Sequence, residues 1–150
     1  ARDRRLLSAT ARRPAVATPF GAACGNPSLG LDSVARPIIG QSAVVELTNA
    51  PTPVVGIHLG TSNTFSFPVA LPYEMSAVGM PGCFIHTSFE AFGVSLHPTA
   101  PGTWQYSQVI PPNTNLVGQP FYLQGFAYAP GANVANIVTS NGIKWEIGDV

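Results

Sequence analysis

Two cysteines, Cys24 and Cys83, are the residues whose chemistry the sequence defines best. Neither has a second cysteine at the CxxC spacing of redox motifs and zinc sites, so a redox or metal role is not expected. An even cysteine count in a chain of extracellular composition predicts one disulfide between them. The alternative is a pair of buried free thiols. A disulfide closing a loop of this length would stabilise the fold by roughly 4 kcal/mol in the chain-entropy model.

The other groups that could do chemistry are scattered along the chain. Ser88, a histidine and either Asp32 or Glu90 would supply the residue types of a nucleophilic triad, a loose requirement that many proteins meet by chance. No pair of acids is placed for glycoside hydrolysis, and no phosphate-binding or calcium-binding loop occurs in the sequence. The sequence therefore predicts a protein that is not an enzyme and needs no cofactor or metal. The histidines share no metal-ligand spacing; they are His58, His86 and His97.

Positive charge is concentrated at the amino end. Residues 1–13 contain five arginines and one aspartate, a net charge of +4, whereas residues 14–150 contain two basic and six acidic residues, a net charge of −4. A cationic segment attached to an anionic body of equal charge predicts that the segment docks on a body, its own or a neighbour's. Nucleic acid is not an expected partner, because the anionic body repels phosphate and no aromatic residue is interleaved with the arginines.

Charged residues are rare in the chain as a whole. They make up 9% of it, compared with about 25% of an ordinary soluble domain, and so neutral a surface suits contact with other protein. No apolar run approaches the roughly eighteen residues of a membrane-spanning helix, so no transmembrane segment is predicted. The first residue is Ala rather than Met, which we interpret as the start left by removal of a signal peptide.

Glycine and proline, fifteen of each, recur at short intervals and favour short strands joined by tight turns. Asn113 is predicted to cap one helical turn through Leu116, and Asn141-Gly142 is a strong signal for a two-residue hairpin turn. Alternation of apolar and polar residues predicts eight or nine strands, with His58 facing outward. The fold class we predict is all-β, an antiparallel β-sandwich. The clearest predicted strands are 41–49, 54–59, 103–110 and 121–129.

Six aromatic residues on the later strands could form a platform on which sugar rings stack. Their more ordinary place is the core or a protein interface. A solvent-facing row of three or more rings would favour a carbohydrate ligand, whereas burial of the rings would favour packing or assembly. The six are Trp104, Tyr106, Tyr122, Phe126, Tyr128 and Trp145.

Turn and packing motifs follow one another in a recognisable order through residues 22–148. They are Ala23-Cys24-Gly25, Leu71-Pro72, Val78-Gly79-Met80-Pro81-Gly82-Cys83, Ile110-Pro111-Pro112-Asn113, Leu116-Val117-Gly118, Phe121-Tyr122-Leu123-Gln124 and Ser140-Asn141-Gly142. This order resembles a β-sandwich module near the C-termini of many secreted planctomycete-like bacterial proteins. The resemblance implies an exported, non-catalytic domain, supports the disulfide and carries over no catalytic residue. In that module a larger protein precedes the domain, whereas a short basic extension stands in its place here.

We therefore expect an extended N-terminal arm over residues 1–20 and a β-sandwich domain over residues 21–150. We predict an extracellular or cell-surface structural protein that assembles with copies of itself, as a filament, when the arm of one subunit pairs as a donor strand with the next. The alternative is an extracellular module that binds carbohydrate, such as cell-surface or matrix polysaccharide, or another surface. The predicted arm contacts are Arg4, Arg5, Leu6, Leu7, Ala9, Ala11, Arg12, Arg13 and Val16, and the candidate acidic acceptors are Glu46, Glu74, Glu90 and Asp149.

Overall fold

The computed structural model describes residues 12–93 and 95–150, which form almost entirely β structure. Two three-residue 3-10 helices, Ser76–Val78 and Thr114–Leu116, occur among the strands. No helix in these ranges has the length and apolar character needed to cross a membrane. The strands are β1 (Val16–Phe20), β2 (Gly30–Ala35), β3 (Ser42–Thr48), β4 (Val55–Gly60), β5 (Phe65–Ser66), β6 (Val69–Ala70), β7 (Tyr73–Met75), β8 (Met80–Ile85), β9 (Ala91–Gly93), β10 (His97–Ala100), β11 (Thr103–Val109), β12 (Pro120–Tyr128) and β13 (Ile137–Glu146).

Nine of these strands form two antiparallel sheets that pack against each other, which confirms the predicted sandwich. The larger sheet has the order β1-β13-β12-β4-β9, and the smaller has the order β10-β11-β3-β2. The pairs β5–β6 and β7–β8 are separate two-stranded ribbons. The ribbons belong to the long connection between β4 and β9, so the chain leaves the larger sheet after β4 and returns to its edge.

The core between the sheets follows from the alternation of side chains along the strands. Ala43, Val45 and Leu47 of β3 are fully buried, as the sequence predicts. Ile57 and Trp145 are also buried and belong to the same cluster. The disulfide between Cys24 and Cys83 is present, with the two Cα atoms 5.1 Å apart, which confirms the predicted pairing.

The outer face of the larger sheet is covered by the segment that follows β8. Gln124 of β12, itself buried, accepts a hydrogen bond from the His86 amide at 2.9 Å and donates to the Phe84 carbonyl at 2.7 Å. This segment lies over His58, whose side chain is 1% exposed. The prediction that His58 faces solvent is therefore wrong, because alternation along a strand fixes the face of a side chain but not what covers that face.

The predicted hairpin turn at Asn141-Gly142 is also wrong. Both residues lie inside β13, at an irregularity in its pairing with β12. The Asn141 side chain accepts a hydrogen bond from the Leu31 amide and donates one to the Leu31 carbonyl, each at 2.9 Å. The side-chain amide of Asn141 thus forms with β2 the pair of hydrogen bonds that a neighbouring strand would form. The predicted cap at Asn113 is confirmed, since its side chain accepts a hydrogen bond from the Asn115 amide at 2.9 Å.

Candidate functional site: the seat of the N-terminal segment

The described part of the predicted arm lies on its own sandwich. We call residues 12–20 the arm segment. Its strand β1 pairs antiparallel with β13, in the register from Val16 opposite Glu146 to Phe20 opposite Gly142. The arm segment therefore forms one edge of the larger sheet. The other predicted arm contacts lie outside the described residues; they are Arg4, Arg5, Leu6, Leu7, Ala9 and Ala11.

Backbone groups at the end of the chain hold the beginning of the arm segment. The Arg13 amide donates to the Asp149 carboxylate at 2.8 Å, and the Asp149 amide donates back to the Arg13 carbonyl at 2.9 Å. The Ala15 amide donates to the Val150 carbonyl at 2.8 Å. Arg36 donates to the carbonyls of Ala15 and Val150 at 3.1 and 3.2 Å. Residues 13–15 are thus joined to residues 149–150 by hydrogen bonds that fix their alignment as well as their attachment.

Three glycines clear the surface on which the arm segment lies. A Cβ at Gly148 would overlap the backbone of residues 13–15, and a Cβ at Gly142 would overlap the ring of Phe20. A Cβ at Gly118 would meet the Arg13 guanidinium. We call these glycines, the β13 edge and Asp149 the seat. Gly148 allows two backbone segments to lie close together, whereas Gly142 and Gly118 leave room for side chains of the arm segment.

The aromatic end of the arm segment is packed against two other elements. The Phe20 ring meets His86 edge-on at 5.9 Å and Tyr122 edge-on at 6.1 Å between ring centroids. The His86 ring lies where a side chain at Gly21 would stand, and its Nε2 donates to the Ala22 carbonyl at 2.6 Å. Gly21 has a φ of +79°, which favours glycine, so the chain turns sharply as it leaves the arm segment.

Gly148→Ala is expected to displace the arm segment, because the added methyl group would overlap backbone atoms that have no rotamer through which to escape. Hydrogen exchange at the amides of β1 should accelerate about tenfold or more, relative to the core strands, since local opening governs exchange there. Gly30→Ala is the matched control, because its methyl group would meet only the Thr48 hydroxyl, the end of a side chain that can rotate away, and Gly30 does not have a left-handed φ. Equal protection of β1 in the two variants would contradict the role we assign to Gly148.

The acidic side chains proposed as acceptors are not gathered at the seat, with the exception of Asp149. Glu46 instead accepts a hydrogen bond from Gln105 at 2.9 Å. Glu74 accepts from the Ser76 hydroxyl and from the amides of Ser76 and Gly82, each at 2.8 Å. These hydrogen bonds, that of the Ser76 hydroxyl first, lower the pKa of Glu74. In the described part of the chain the one ion pair joins Lys144 and Glu146 at 3.6 Å.

The residue types of a nucleophilic triad do approach one another, but without the required contacts. The Ser88 hydroxyl donates to Glu90 at 2.8 Å and accepts from the amides of Thr61 and Ser62, each at 3.1 Å. Burial acts to raise the pKa of Glu90, but the hydrogen bonds from Ser88 and Thr61 outweigh it and leave the pKa lowered. Ser88 therefore has a carboxylate, not a histidine, as its acceptor, and the cluster holds the loop after β4.

The fold separates His97 from the other two histidines. His97 lies exposed on β10 of the smaller sheet, whereas His58 and His86 are buried at the larger one. Residues 12–93 and 95–150 contain no group of three or more histidine, cysteine or acidic side chains placed to hold a metal ion. His58 Nδ1 and the Thr87 hydroxyl form a hydrogen bond of 2.9 Å. The arrangement is that of a buried structural polar cluster.

The six aromatic side chains considered as a sugar platform do not form a solvent-facing row. Trp145, Tyr106 and Tyr122 are buried. Trp104 and Phe126 are partly buried, and Tyr128 is 43% exposed. Four phenylalanines outside this set are exposed: Phe65, Phe67, Phe89 and Phe92. Two of them form a pair beside β9, since the ring centroids of Phe89 and Phe92 lie 5.8 Å apart. Only the position of β9 at the sheet edge distinguishes them from core phenylalanines.

No protein-family model, curated protein or solved structure matches the chain.

Proposed function

We propose that this protein is a non-catalytic, exported structural protein whose subunits assemble by exchanging the arm segment. The observation that carries the proposal is the seat: residues 13–20 are held by hydrogen bonds, glycine-cleared surface and edge pairing. None of these contacts depends on which copy supplies the segment. The same contacts made with a neighbour's arm would give a domain-swapped assembly.

The chain following the arm segment suits such an exchange. Gly21 provides a turn at which the chain could take a different direction. Cys24 lies three residues further on and is bonded to Cys83, so the chain beyond that point stays with its own sandwich. A hinge of this kind lets one short segment change partner while the core keeps its structure.

Repeated exchange in one direction would give a filament. Each subunit has one arm segment and one seat, so a head-to-tail contact that does not close on itself continues without end. Backbone pairing and packing supply most of the affinity, because an exposed ion pair contributes only about 0–1 kcal/mol. The N-terminal arginines chiefly assist encounter with an anionic neighbour. An extracellular location accords with the disulfide, which persists in oxidising compartments.

The double variant Thr18→Cys/Lys144→Cys is expected to trap the exchange. These positions are opposite each other in the β1–β13 register, and directly paired residues in an antiparallel ladder have Cα atoms about 4.5–5.5 Å apart, which a disulfide can bridge. If arms are exchanged, oxidation of the assembled protein should give a ladder of covalent multimers on a non-reducing gel. The two single variants are the controls.

The same gel can refute the proposal. If the double variant forms its new disulfide only within one chain, at concentrations where the native protein is assembled, the arm segment closes its own sandwich and does not link subunits. Assemblies that form without any intermolecular bond at this position would then have to use another contact.

The second candidate is a module that binds polysaccharide or another surface. The exposed pair Phe89 and Phe92, which are 43% and 61% exposed, favours it, because such rings can stack on sugars. This candidate requires a monomer that is retained on an insoluble polysaccharide and that shows no intermolecular bond in the cysteine experiment.

A further inference from the structure

An apolar cleft opens between the two sheets at the end where β11 finishes and β12 begins. Its volume is about 270 Å³, which is below the roughly 300–1,000 Å³ of typical small-molecule sites. A cleft of this size and character suits aliphatic side chains better than a cofactor. The residues that give it its apolar character are Leu59, Val109, Leu116, Phe121, Trp145 and Ile147.

One residue of the cleft wall, Trp145, has an unsatisfied polar atom. The indole Nε1 of Trp145 is buried and has no hydrogen-bond acceptor among the described residues. A buried donor without an acceptor is costly. Because that atom has almost no accessible surface, the walls offer an occupant apolar contact alone, which aliphatic side chains supply.

The N-terminal segment of the chain enters the described structure beside this cleft. The Arg13 guanidinium lies against Gly118, whose amide donates to the Ile147 carbonyl at 2.8 Å. Ile147 and Leu116 both line the cleft. Residues 1–11, which lie outside the described ranges, contain only two large apolar side chains, Leu6 and Leu7. Six residues of extended chain reach about 20 Å, so these leucines are within reach of the cleft from Arg12.

We propose that the cleft of each subunit receives Leu6 and Leu7 from the second copy whose arm segment fills its seat. The inference rests on the proposed function, because an exchanged arm segment brings its own preceding residues to the neighbour's cleft. The two leucines lie between Arg4-Arg5 and Arg12-Arg13. The apolar pair enters the cleft while the flanking arginines stay in solvent at its rim.

The double variant Leu7→Cys/Val109→Cys tests this placement in the full-length chain. Val109 is 64% exposed at the rim of the cleft, so a cysteine there can be reached without disturbing the core. Oxidation of the assembled protein should give covalent multimers at least about tenfold more abundant than in the control Leu7→Cys/Val134→Cys. Val134 is exposed near Gly79, at the opposite end of the sandwich.

A second measurement asks whether the leucines contribute affinity. Leu6→Ser/Leu7→Ser should raise the protein concentration needed for assembly by about a hundredfold, given the apolar surface that two leucines bury. Ser8→Ala, which leaves both leucines in place, should change that concentration little. An unchanged concentration in the leucine variant would overturn the inference.

The outcomes separate this inference from the proposed function. Multimers through both the 18–144 and the 7–109 pairs support the cleft as the neighbour's leucine site. Multimers through 18–144 with no 7–109 bond above the control overturn the cleft inference and leave arm exchange standing. A 7–109 bond that forms only within single chains overturns the inference. If the 18–144 variant also gives no intermolecular bond, the proposed function is overturned too.

Discussion

Replacing both Cys24 and Cys83 with alanine is expected to lower the free energy of unfolding by about 4 kcal/mol. The disulfide joins residues 59 positions apart, and closing a loop of this size restricts the unfolded chain to about that extent in the chain-entropy model. For a chain of 150 residues, a loss of this size should lower the melting temperature by about 10 °C. Denaturant and thermal unfolding, followed by circular dichroism, would measure both quantities.

The control for the cysteine variant is the native sequence under reducing conditions, which removes the bond and keeps both sulfur atoms. Cys83 is fully buried, and the Thr139 amide donates to Cys24 Sγ at 3.2 Å. Alanine therefore also loses some packing, and the reduced native protein separates that contribution from loop closure. A loss of less than about 1 kcal/mol in both samples would show that the bond does not restrain the unfolded chain as expected.

The free energy of unfolding should fall by about 3 kcal/mol as the pH is lowered from 7 to 4, because of one side chain. Burial lowers the pKa of His58 to about 4, from an ordinary value of 6.5. Between these two values the unfolded chain binds a proton at His58 and the folded protein does not. Acid therefore favours unfolding through this window, and the contribution is complete once the pH falls below the folded pKa.

The variant His58→Gln should lack this part of the pH dependence, whatever its stability at pH 7. His97→Gln is the matched control, since His97 is exposed on the smaller sheet, and it should leave the decline in place. The measurement is urea unfolding at several pH values between 4 and 7. If the free energy of unfolding of His58→Gln falls with pH as steeply as that of the native protein, other groups are responsible for the decline.

Strand positions and the core were predictable wherever one face of a strand meets the other sheet. The alternation in β3 indicates the buried positions of Val45 and Leu47 correctly, and the predicted strand 121–129 corresponds to β12. The disulfide was predictable because two cysteines allow one pairing within a chain. Asn113 was predictable as a cap, since its role depends only on residues next to it.

The errors came from contacts between residues distant in sequence. Asn141 reads as a turn residue, but its amide serves Leu31, 110 positions away. His58 reads as an outward residue, but Gln124 fixes the segment that covers it. The seat was also not predictable, because Gly118, Gly142 and Gly148 are significant only once the backbone lying over them is known.

The short interval between Gly21 and the disulfide determines how a filament of subunits linked by their arm segments would carry tension. A pull transmitted along one arm would cross only three residues before reaching the covalent bond from Cys24 to β8. The load would then pass into the cross-linked body of the sandwich and not into the connection before β2. Such a fibre would fail by sliding of β1 along β13, and the subunits released from it would still be folded.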